Sequence, residues 1–381
     1  MKRKKHSGGR KKSPLLFGIT FRAILIVAAA AMLLSYLAVY VNPSKFSLPL
    51  FFGLYFIPIL GINLLLLLIA ILRRSGSAWI AVVALLPALL YTELFLKIRG
   101  NDGPQHSTAQ LKIESYNLGM FSSSRNGLAR EECRNEVGKH LSTENPDIVC
   151  LQEFFVENYR QADTIFGRYP HRHYHLFKAR NGKLFGNIIL SRFPIGDKGR
   201  ISFPNSTNLS IYADVEYMGQ TLRIYNNHLE SYNVSFASLA QKVSQELKKE
   251  SRSSNGESAE EITRDIVQTH EKMKGTFIKR SQQVEKILEN INGTPHRTII
   301  CGDFNDTPMS YTYHALAKRR KDTFKEAGHG FSATFAHIWP LLRIDYILVP
   351  DQVECHNHSV LKLPLSDHYP VISTVSLHEG N

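Results

Sequence analysis

The apolar positions divide the chain into two parts. Over the first hundred residues, long apolar runs with almost no charge follow one another, at about 20–41, 48–72 and 78–97. From residue 111 onward the apolar runs are short, and most end in polar or turn-forming residues. Runs of the first kind are typical of membrane helices, and runs of the second kind are typical of strands in a mixed domain.

Three transmembrane helices are predicted from the long runs. Each run approaches the roughly 20 residues that a helix needs to cross ~30 Å of hydrocarbon. Buried core helices are the alternative, but three of them in succession would need a core that the rest of the chain does not supply. A cleaved signal peptide is disfavoured because the second and third runs follow the first at once.

The distribution of charge predicts an orientation in the membrane. The formal net charge is +13, but residues 1–100 hold 13 Lys and Arg against a single acid, Glu93, and residues 101–381 hold 33 basic and 32 acidic residues. Seven of the basic residues precede the first run, and Arg73 and Arg74 follow the second. Since Lys and Arg favour the cytoplasmic side, we expect an integral protein of the plasma or inner membrane whose residues 101–381 lie on the non-cytoplasmic side.

The basic tail also has another interpretation, as an arm that binds RNA or anionic lipid. Next to an apolar run, its role in orienting the chain is favoured. The nearly neutral second part gives no support to a basic groove for nucleic acid.

A polar linker at 101–110 leads into a single domain, predicted at 111–381. Helices are expected near 131–141 and 311–318. Because strands outnumber helices and several are apolar on both faces, we expect an α/β fold with two packed sheets and outer helices. The predicted strands lie in the segments "LKIESYNLG", "DIVCLQE", "GNIILSRFPI", "SIYADVEY", "TLRIYNNHLE", "TIICGDFN", "RIDYILV" and "SDHYPVISTVSL".

An insert at 231–292 differs from the rest of this domain. Its apolar residues recur at helical spacing and are interrupted by the turn-forming segment "KKESRSSNGES". A partly solvated helical pair is predicted, and a lid or a membrane-facing arm is the alternative. The four cysteines match no zinc pattern, and Cys150 and Cys301, inside apolar strands, are expected to be buried free thiols.

Many of the predicted strands begin or end with a polar side chain. Taken singly, each such residue has an ordinary explanation, since Asn and Asp cap turns and a lone His is usually structural. Taken together, they suggest a site, because carboxylates and amides suit a hard divalent ion and histidines beside carboxylates act as bases or donors. The residues are Asn117, Glu153, His228, Asp303, Asn305, Asp345, Asp367 and His368.

These residues lie in an ordered set of motifs, "YNLGMF", "DIVCLQE", "GNIILSRFPI", "NNHLES", "GDFND", "RIDYILV" and "SDHYPV". The set resembles the endonuclease/exonuclease/phosphatase superfamily over about 111–377. That group includes pancreatic-type deoxyribonucleases, apurinic endonucleases, inositol phosphate phosphatases and neutral sphingomyelinases. The resemblance implies a four-layer αββα sandwich, and it implies hydrolysis of phosphoesters with Mg²⁺ or Mn²⁺.

The resemblance also implies a metal site. Glu153 matches the main metal ligand and Asn117 matches a residue of the metal shell, with Asp367 as a possible further ligand. No organic cofactor is expected.

Five further residues match positions that act on the substrate. His368 and Asp345 resemble the base and its orienting partner, which would activate water. His228, Asp303 and Asn305 resemble the groups around the scissile phosphate. Members of the family differ over whether the residue equivalent to Asp303 or to His368 takes the proton, and the sequence leaves this open.

The function expected from the sequence is therefore a membrane-anchored, metal-dependent phosphoester hydrolase of the phosphodiesterase or nuclease type. A phospholipid or sphingomyelin phosphodiesterase and an inositol-phosphate phosphatase are the alternatives. A non-catalytic binding module is disfavoured because every expected catalytic position holds a competent residue. The expected partners are the lipid bilayer, through three helices, and the phosphoester substrate.

Overall fold

The computed structural model describes residues 14–98, 110–204, 206–232 and 257–377, with the side chains of 14–17, 257–263, 265 and 266 excepted. The predicted basic tail, nearly all of the predicted linker and the first helix of the predicted insert lie outside the described residues.

The first part of the chain is helical. Helix α1 spans Pro14–Leu37, α2 spans Leu48–Leu54, α3 spans Phe56–Leu72 and α4 spans Ala78–Leu85. A 3₁₀ helix, Leu86–Leu94, continues α4. Helices α2 and α3 meet at an angle of 73°.

The prediction of three transmembrane helices is not supported. Among the residues that the structure describes, one helix, Gly18–Leu37, is long and apolar enough to cross a membrane, and a second is counted only if the bent pair α2–α3 forms one span. The third apolar run is helical only over Ala78–Leu94, and then enters the short strand β1, Leu96–Lys97. The apolar pattern alone shows neither the bend in the second run nor the early end of the third.

The first of two six-stranded sheets has the order β13-β14-β2-β3-β5-β4. Strands β2 and β3 are parallel and the other neighbours are antiparallel. Its strands are β2 (Gln110–Asn117), β3 (Ile148–Val156), β4 (His171–Lys178), β5 (Leu184–Ser191), β13 (Val353–Val360) and β14 (Val371–Leu377).

The second sheet has the order β10-β12-β9-β8-β7-β6, with β8 and β9 parallel. Both sheets are therefore mixed. Its strands are β6 (Ile195–Ser202), β7 (Leu209–Tyr217), β8 (Gln220–His228), β9 (Arg297–Asp303), β10 (Arg320–Asp322) and β12 (Asp345–Pro350).

The two sheets pack face to face, with helices outside. An apolar cluster between them joins Ile113 and Cys150 of the first sheet to Ile224 and Ile347 of the second. Helices α5 (Arg130–Glu144) and α6 (Tyr159–Thr164) cover the outer face of the first sheet, and α7 (Glu257–Asn292) and α8 (Tyr311–Ala317) cover that of the second. A short helix, α9 (Thr323–Ala327), follows β10. The α/β prediction is confirmed, and the arrangement is compatible with an αββα sandwich.

Two details of the domain refine the sequence expectations. The second half of the predicted insert is α7, which buries Val284 and Ile287 against the second sheet and so forms part of the fold. The four cysteines are buried and free, which confirms the expectation of buried thiols at Cys150 and Cys301.

The apolar helices share a core with the second sheet. A cluster of buried residues runs from Phe21 in α1 to Tyr346 in β12. Strand β1 pairs with β11 (Gly330–Phe331), and the Ser332 hydroxyl donates to the Leu94 carbonyl at 2.9 Å. The helices therefore lie against the domain that carries the candidate site.

Candidate active site

Glu153 is turned out of strand β3 by a bulge. The pairing of β3 with β5 shifts register between Leu151 and Phe154, and Glu153 has a φ of +47°. A bulge re-aims a side chain, and a left-handed non-glycine residue is a costly conformation that concentrates at functional sites. The Glu153 carboxylate then lies 3.6 Å from the imidazole of His228, at the end of β8.

Asp303 and Asp345 face each other at the rim of the second sheet. They are register partners, Asp303 at the end of β9 and Asp345 at the start of β12. Gly302 has a φ of +131°, and a Cβ there would lie 2.0 Å from the Asn227 carbonyl, so only glycine fits. Asn305, with a φ of +51°, then donates its backbone N–H to Asp303 at 2.8 Å.

His368 is held between these two carboxylates. Its Nδ1 lies 3.0 Å from Oδ2 of Asp345, and its Nε2 lies 3.8 Å from Oδ2 of Asp303. The ring packs edge-on against Phe335, with centroids 5.2 Å apart. The Thr334 hydroxyl accepts the backbone N–H of Asp345 at 3.1 Å and so fixes the start of that strand.

The pKa values of His368 and Asp303 are both raised in this group, that of Asp303 mainly by burial and that of His368 in spite of burial. Burial lowers the pKa of His368, but the carboxylates of Asp345 and Asp303 outweigh it and raise that pKa to about 10. Burial and the nearby Asp345 raise the pKa of Asp303 to about 6, although His368 and His228 oppose the rise. The imidazolium is therefore the stable form of His368 at neutral pH, and Asp303 titrates close to neutrality.

Asn117 links the two sheets at this rim. Its Nδ2 donates to Asp303 Oδ2 at 3.0 Å and lies 3.4 Å from Glu153 Oε1, while its Oδ1 accepts the backbone N–H of Gly119 at 3.0 Å. The amide nitrogen thus faces the carboxylates. In this orientation Asn117 orients Asp303 and Glu153, and it would need the opposite amide orientation to bind a metal through oxygen.

A cavity of about 550 Å³ opens over these groups. Glu153, Asp303, Asn305, Asp367 and His368 line it. Contacts within 4.0 Å connect Asn117, His228 and Asp345 to the same group. The structure therefore brings all eight residues singled out in the sequence to one rim, and the role of each stays a prediction.

A model of the endonuclease/exonuclease/phosphatase family matches residues 115–368. The chain belongs to this family. The finding confirms the resemblance inferred from the motifs. Members of the endonuclease/exonuclease/phosphatase family are typically hydrolases of phosphoesters, and they generally use divalent metal ions.

Solved structures of the endonuclease/exonuclease/phosphatase type share the fold. One from Beutenbergia cavernae DSM 12333 has 15% sequence identity and a TM-score of 0.50, and the match covers 71% of this chain and 72% of that one. One from Bacteroides thetaiotaomicron has 16% identity and a TM-score of 0.50 and covers 72% and 100%. A domain model of unknown function, DUF8431, matches residues 18–93. A comparison with curated proteins finds no match.

The charges at the cavity fit the metal use of the family. The described residues that line the cavity include three acids, Glu153, Asp303 and Asp367, and neither Lys nor Arg. An anionic phosphoester would be repelled there unless a cation neutralised the carboxylates. Among the described residues, the one ion-pair partner of Glu153 is His228, so its oxygens remain available to a hard cation.

A second group of possible ligands is less suitable for a metal ion. Donor atoms of Asp303, Asp345 and His368 lie within 4.8 Å of one another and would be close enough to share an ion. However, Asp345 and His368 already hydrogen-bond each other, and the pKa of His368 favours its protonated form. A protonated imidazole does not bind metal.

Sequence reasoning missed three supporting residues. Ser366 donates its hydroxyl to the Asn117 carbonyl at 2.8 Å and accepts the N–H of His368 at 3.2 Å, which joins the loop before β14 to the end of β2 beside the site. Its position directly before Asp367 was an available signal. Thr334 and Phe335 reach the site from a loop, and their segment carries no local signal of that contact.

Proposed function

We propose that this protein hydrolyses a phosphoester with Mg²⁺ or Mn²⁺ as its metal ion. The observation that carries the proposal is the convergence of three carboxylates and two histidines on one cavity whose described lining has no Lys or Arg. The carboxylates outnumber the His368 imidazolium, so the cavity disfavours an anion unless a divalent cation is bound, and a bound phosphate would then lie beside groups that move protons.

Glu153 and Asp367 are the residues proposed to hold the ion. Both line the cavity and neither has a Lys or Arg ion-pair partner among the described residues. When bound, the ion supplies charge that polarises a phosphoryl oxygen and neutralises the departing one. Asn117 keeps the Glu153 carboxylate in place from the buried side.

Of the two candidate bases, Asp303 is favoured. Its pKa of about 6 suits a base at neutral pH, whereas His368, with a pKa of about 10, is already protonated. Asp303 Oδ2 would take a proton from the attacking water. His368, oriented by Asp345, would donate its Nε2–H to a phosphate oxygen, and His228 would donate to another.

A membrane location is also proposed. Helix Gly18–Leu37 meets the length and hydropathy of a spanning helix, and most of the exposed large apolar side chains lie in residues 19–98. Contact of this apolar surface with lipid costs little free energy, whereas its exposure to water is unfavourable. The polybasic N-terminal tail favours a cytoplasmic N-terminus and a catalytic domain on the other side.

Glu153→Gln in the full chain tests the proposal, because the amide keeps the shape of the side chain and removes the charge that binds the ion. Turnover of a chromogenic phosphodiester should fall on the order of 10²-fold, and half-maximal activity should require at least about ten times more Mg²⁺. EDTA should abolish wild-type activity, and Mg²⁺ should restore it.

Glu157→Gln is the matched control. Glu157 follows the same strand, is exposed and pairs with Lys183 at 3.0 Å, so its loss should leave the metal dependence unchanged. Equal Mg²⁺ requirements in wild type and Glu153→Gln would remove Glu153 from the metal site. Activity that survives EDTA would refute the metal-dependent reaction.

A further inference from the structure

The residues that line the cavity over the site are of two kinds, which we call its polar half and its apolar half. One half carries the acids and His368. The other half is apolar and is built by three separate segments, namely the α2–α3 bend, the end of the 3₁₀ helix, and the loop before β12. The apolar lining includes Leu54, Phe56 and Ile57 at the bend, Phe95 after the 3₁₀ helix, and Phe335 and Leu341 in the loop.

The apolar half begins at the catalytic groups themselves. Phe335 lines the cavity and contacts the ring of His368, with centroids 5.2 Å apart. Its backbone N–H donates to the Leu342 carbonyl at 3.1 Å, which fixes the loop. Ile344, also in the lining, directly precedes Asp345. A phosphate at the polar half would therefore have hydrocarbon surface beside it.

The helical wall of the cavity is packed against the catalytic domain. Gly53, at the α2–α3 bend, lies so close to the Met309 carbonyl that a Cβ would approach it to 2.3 Å. Asn42, between α1 and α2, donates to Glu285 of α7 at 2.8 Å. The apolar half is therefore as well defined in the structure as the polar half.

The mouth of the cavity continues the apolar surface of the helices. Tyr55 and Leu341 line the cavity and are 37% and 44% exposed. Trp339, two residues from Leu341, is 41% exposed, and Ile62 of α3 is 54% exposed. An apolar chain would contact exposed apolar side chains on its way into the cavity, and the ammonium group of Lys362, 3.7 Å from the centre of the Trp339 ring, lies beside them.

The charges of the cavity disfavour a nucleic acid as its occupant. Binding to DNA or RNA depends on Lys and Arg at successive phosphates. The described lining holds neither residue type, and residues 101–381 carry a net charge of only +1. One phosphate next to a hydrocarbon chain matches the cavity better than a chain of phosphates.

We propose that the substrate is a lipid phosphoester, with its phosphate at Glu153 and Asp303 and its hydrocarbon chain along the α2–α3 bend. The inference rests on the proposed hydrolase function and names its substrate class. Water would attack phosphorus, the P–O bond to one ester group would break, and the proton lost by water would end on the departing alkoxide. A volume of about 550 Å³ lies within the usual 300–1,000 Å³ of a ligand pocket.

A series of p-nitrophenyl alkyl phosphodiesters measures the contribution of the alkyl group to kcat/KM. The scissile bond stays the same while the alkyl group is lengthened from ethyl to hexyl and decyl. The full chain is held in an amphipathic polymer without alkyl detergent, and each ester is kept below its micelle concentration. Each buried methylene should raise kcat/KM about four-fold until the cavity is full, or on the order of 10²-fold from ethyl to hexyl. Vesicle phospholipid should be hydrolysed, and plasmid DNA and an oligonucleotide should not.

Leu341→Asp and Leu96→Asp form a matched pair of variants. Both leucines are similarly exposed, at 44% and 40%, but only Leu341 lines the cavity. In Leu341→Asp, kcat/KM should no longer rise with the length of the alkyl group. In Leu96→Asp it should rise as in the wild type, and the two variants should have equal melting temperatures. A flat wild-type series with the ethyl ester still hydrolysed would overturn the lipid proposal and leave the hydrolase proposal intact. Efficient cleavage of DNA would do the same, and no turnover of any ester with Mg²⁺ would overturn both.

Discussion

At the scale of single residues, the site is organised by charges that are buried beside one another. Asp345 and Asp303 lie on two sides of His368, so the imidazole gains a proton that burial alone would remove. Burial raises the pKa of Asp303 to about 6. Two groups whose pKa values are driven apart in one site are the usual arrangement for a base and a donor.

The pH dependence of kcat/KM should therefore be bell-shaped. Activity rises with pH as Asp303 loses its proton, above a pKa of about 6, and falls as His368 loses its proton, above a pKa of about 10. A bound divalent cation moves both limbs to lower pH.

Asp345→Asn removes the nearest negative charge from His368, so the alkaline limb should move to lower pH while the acid limb changes less. Loss of activity with an unmoved alkaline limb would show that Asp345 serves only the fold.

The sequence predicts the members of this site better than their interactions. Polar residues at strand ends are visible in the sequence, and their number, rather than any one of them, indicates a site. The amide orientation of Asn117 depends on the N–H of Gly119, and the contact of Phe335 with His368 depends on a loop. Both arise from tertiary structure and leave no local pattern.

At the scale of elements, the strands of the domain are largely predictable and the helices of the first part are not. Strand β9 follows from its apolar run and from the turn-forming residues after it. The run 48–72 has no charged residue, yet the chain bends by 73° within it. At the bend, α2 packs on the catalytic domain through the contact of Gly53 with the Met309 carbonyl. The hydropathy of the run does not predict that contact.

Two glycine variants test this packing. A Cβ at Gly53 would lie 2.3 Å from the Met309 carbonyl and 2.6 Å from the Ala38 side chain, so Gly53→Ala should lower the free energy of unfolding by about 1–3 kcal/mol. A Cβ at Gly61 in α3 would meet nothing within 4 Å, so Gly61→Ala should be neutral or stabilising. Thermal unfolding of the full chain measures both. Equal melting temperatures for the two variants would mean that α2 does not pack on the domain as described.

At the scale of the whole molecule, the helices place two kinds of surface at opposite ends. The guanidinium of Arg73, after α3, lies 5.7 Å from the ring of Phe21 near the start of α1. The other end of the helical part contacts the domain, through Asn42 and through the Leu94 carbonyl. The basic Arg73–Arg74 pair and the catalytic domain are thus separated along the helices.

The basic tail leads to a prediction of topology. Because Lys and Arg favour the cytoplasm, the polybasic N-terminal tail should be cytoplasmic, and helix α1, which is long and apolar enough to cross a membrane, should carry the chain to the other side. A reporter enzyme that is active only outside the cytoplasm should therefore be active when fused after Asn381 and inactive when fused before Met1. Activity before Met1 would mean that the basic tail does not orient the chain. Inactivity after Asn381, with a cytoplasmic reporter active there, would place catalysis inside the cell and require the substrate to come from the inner leaflet.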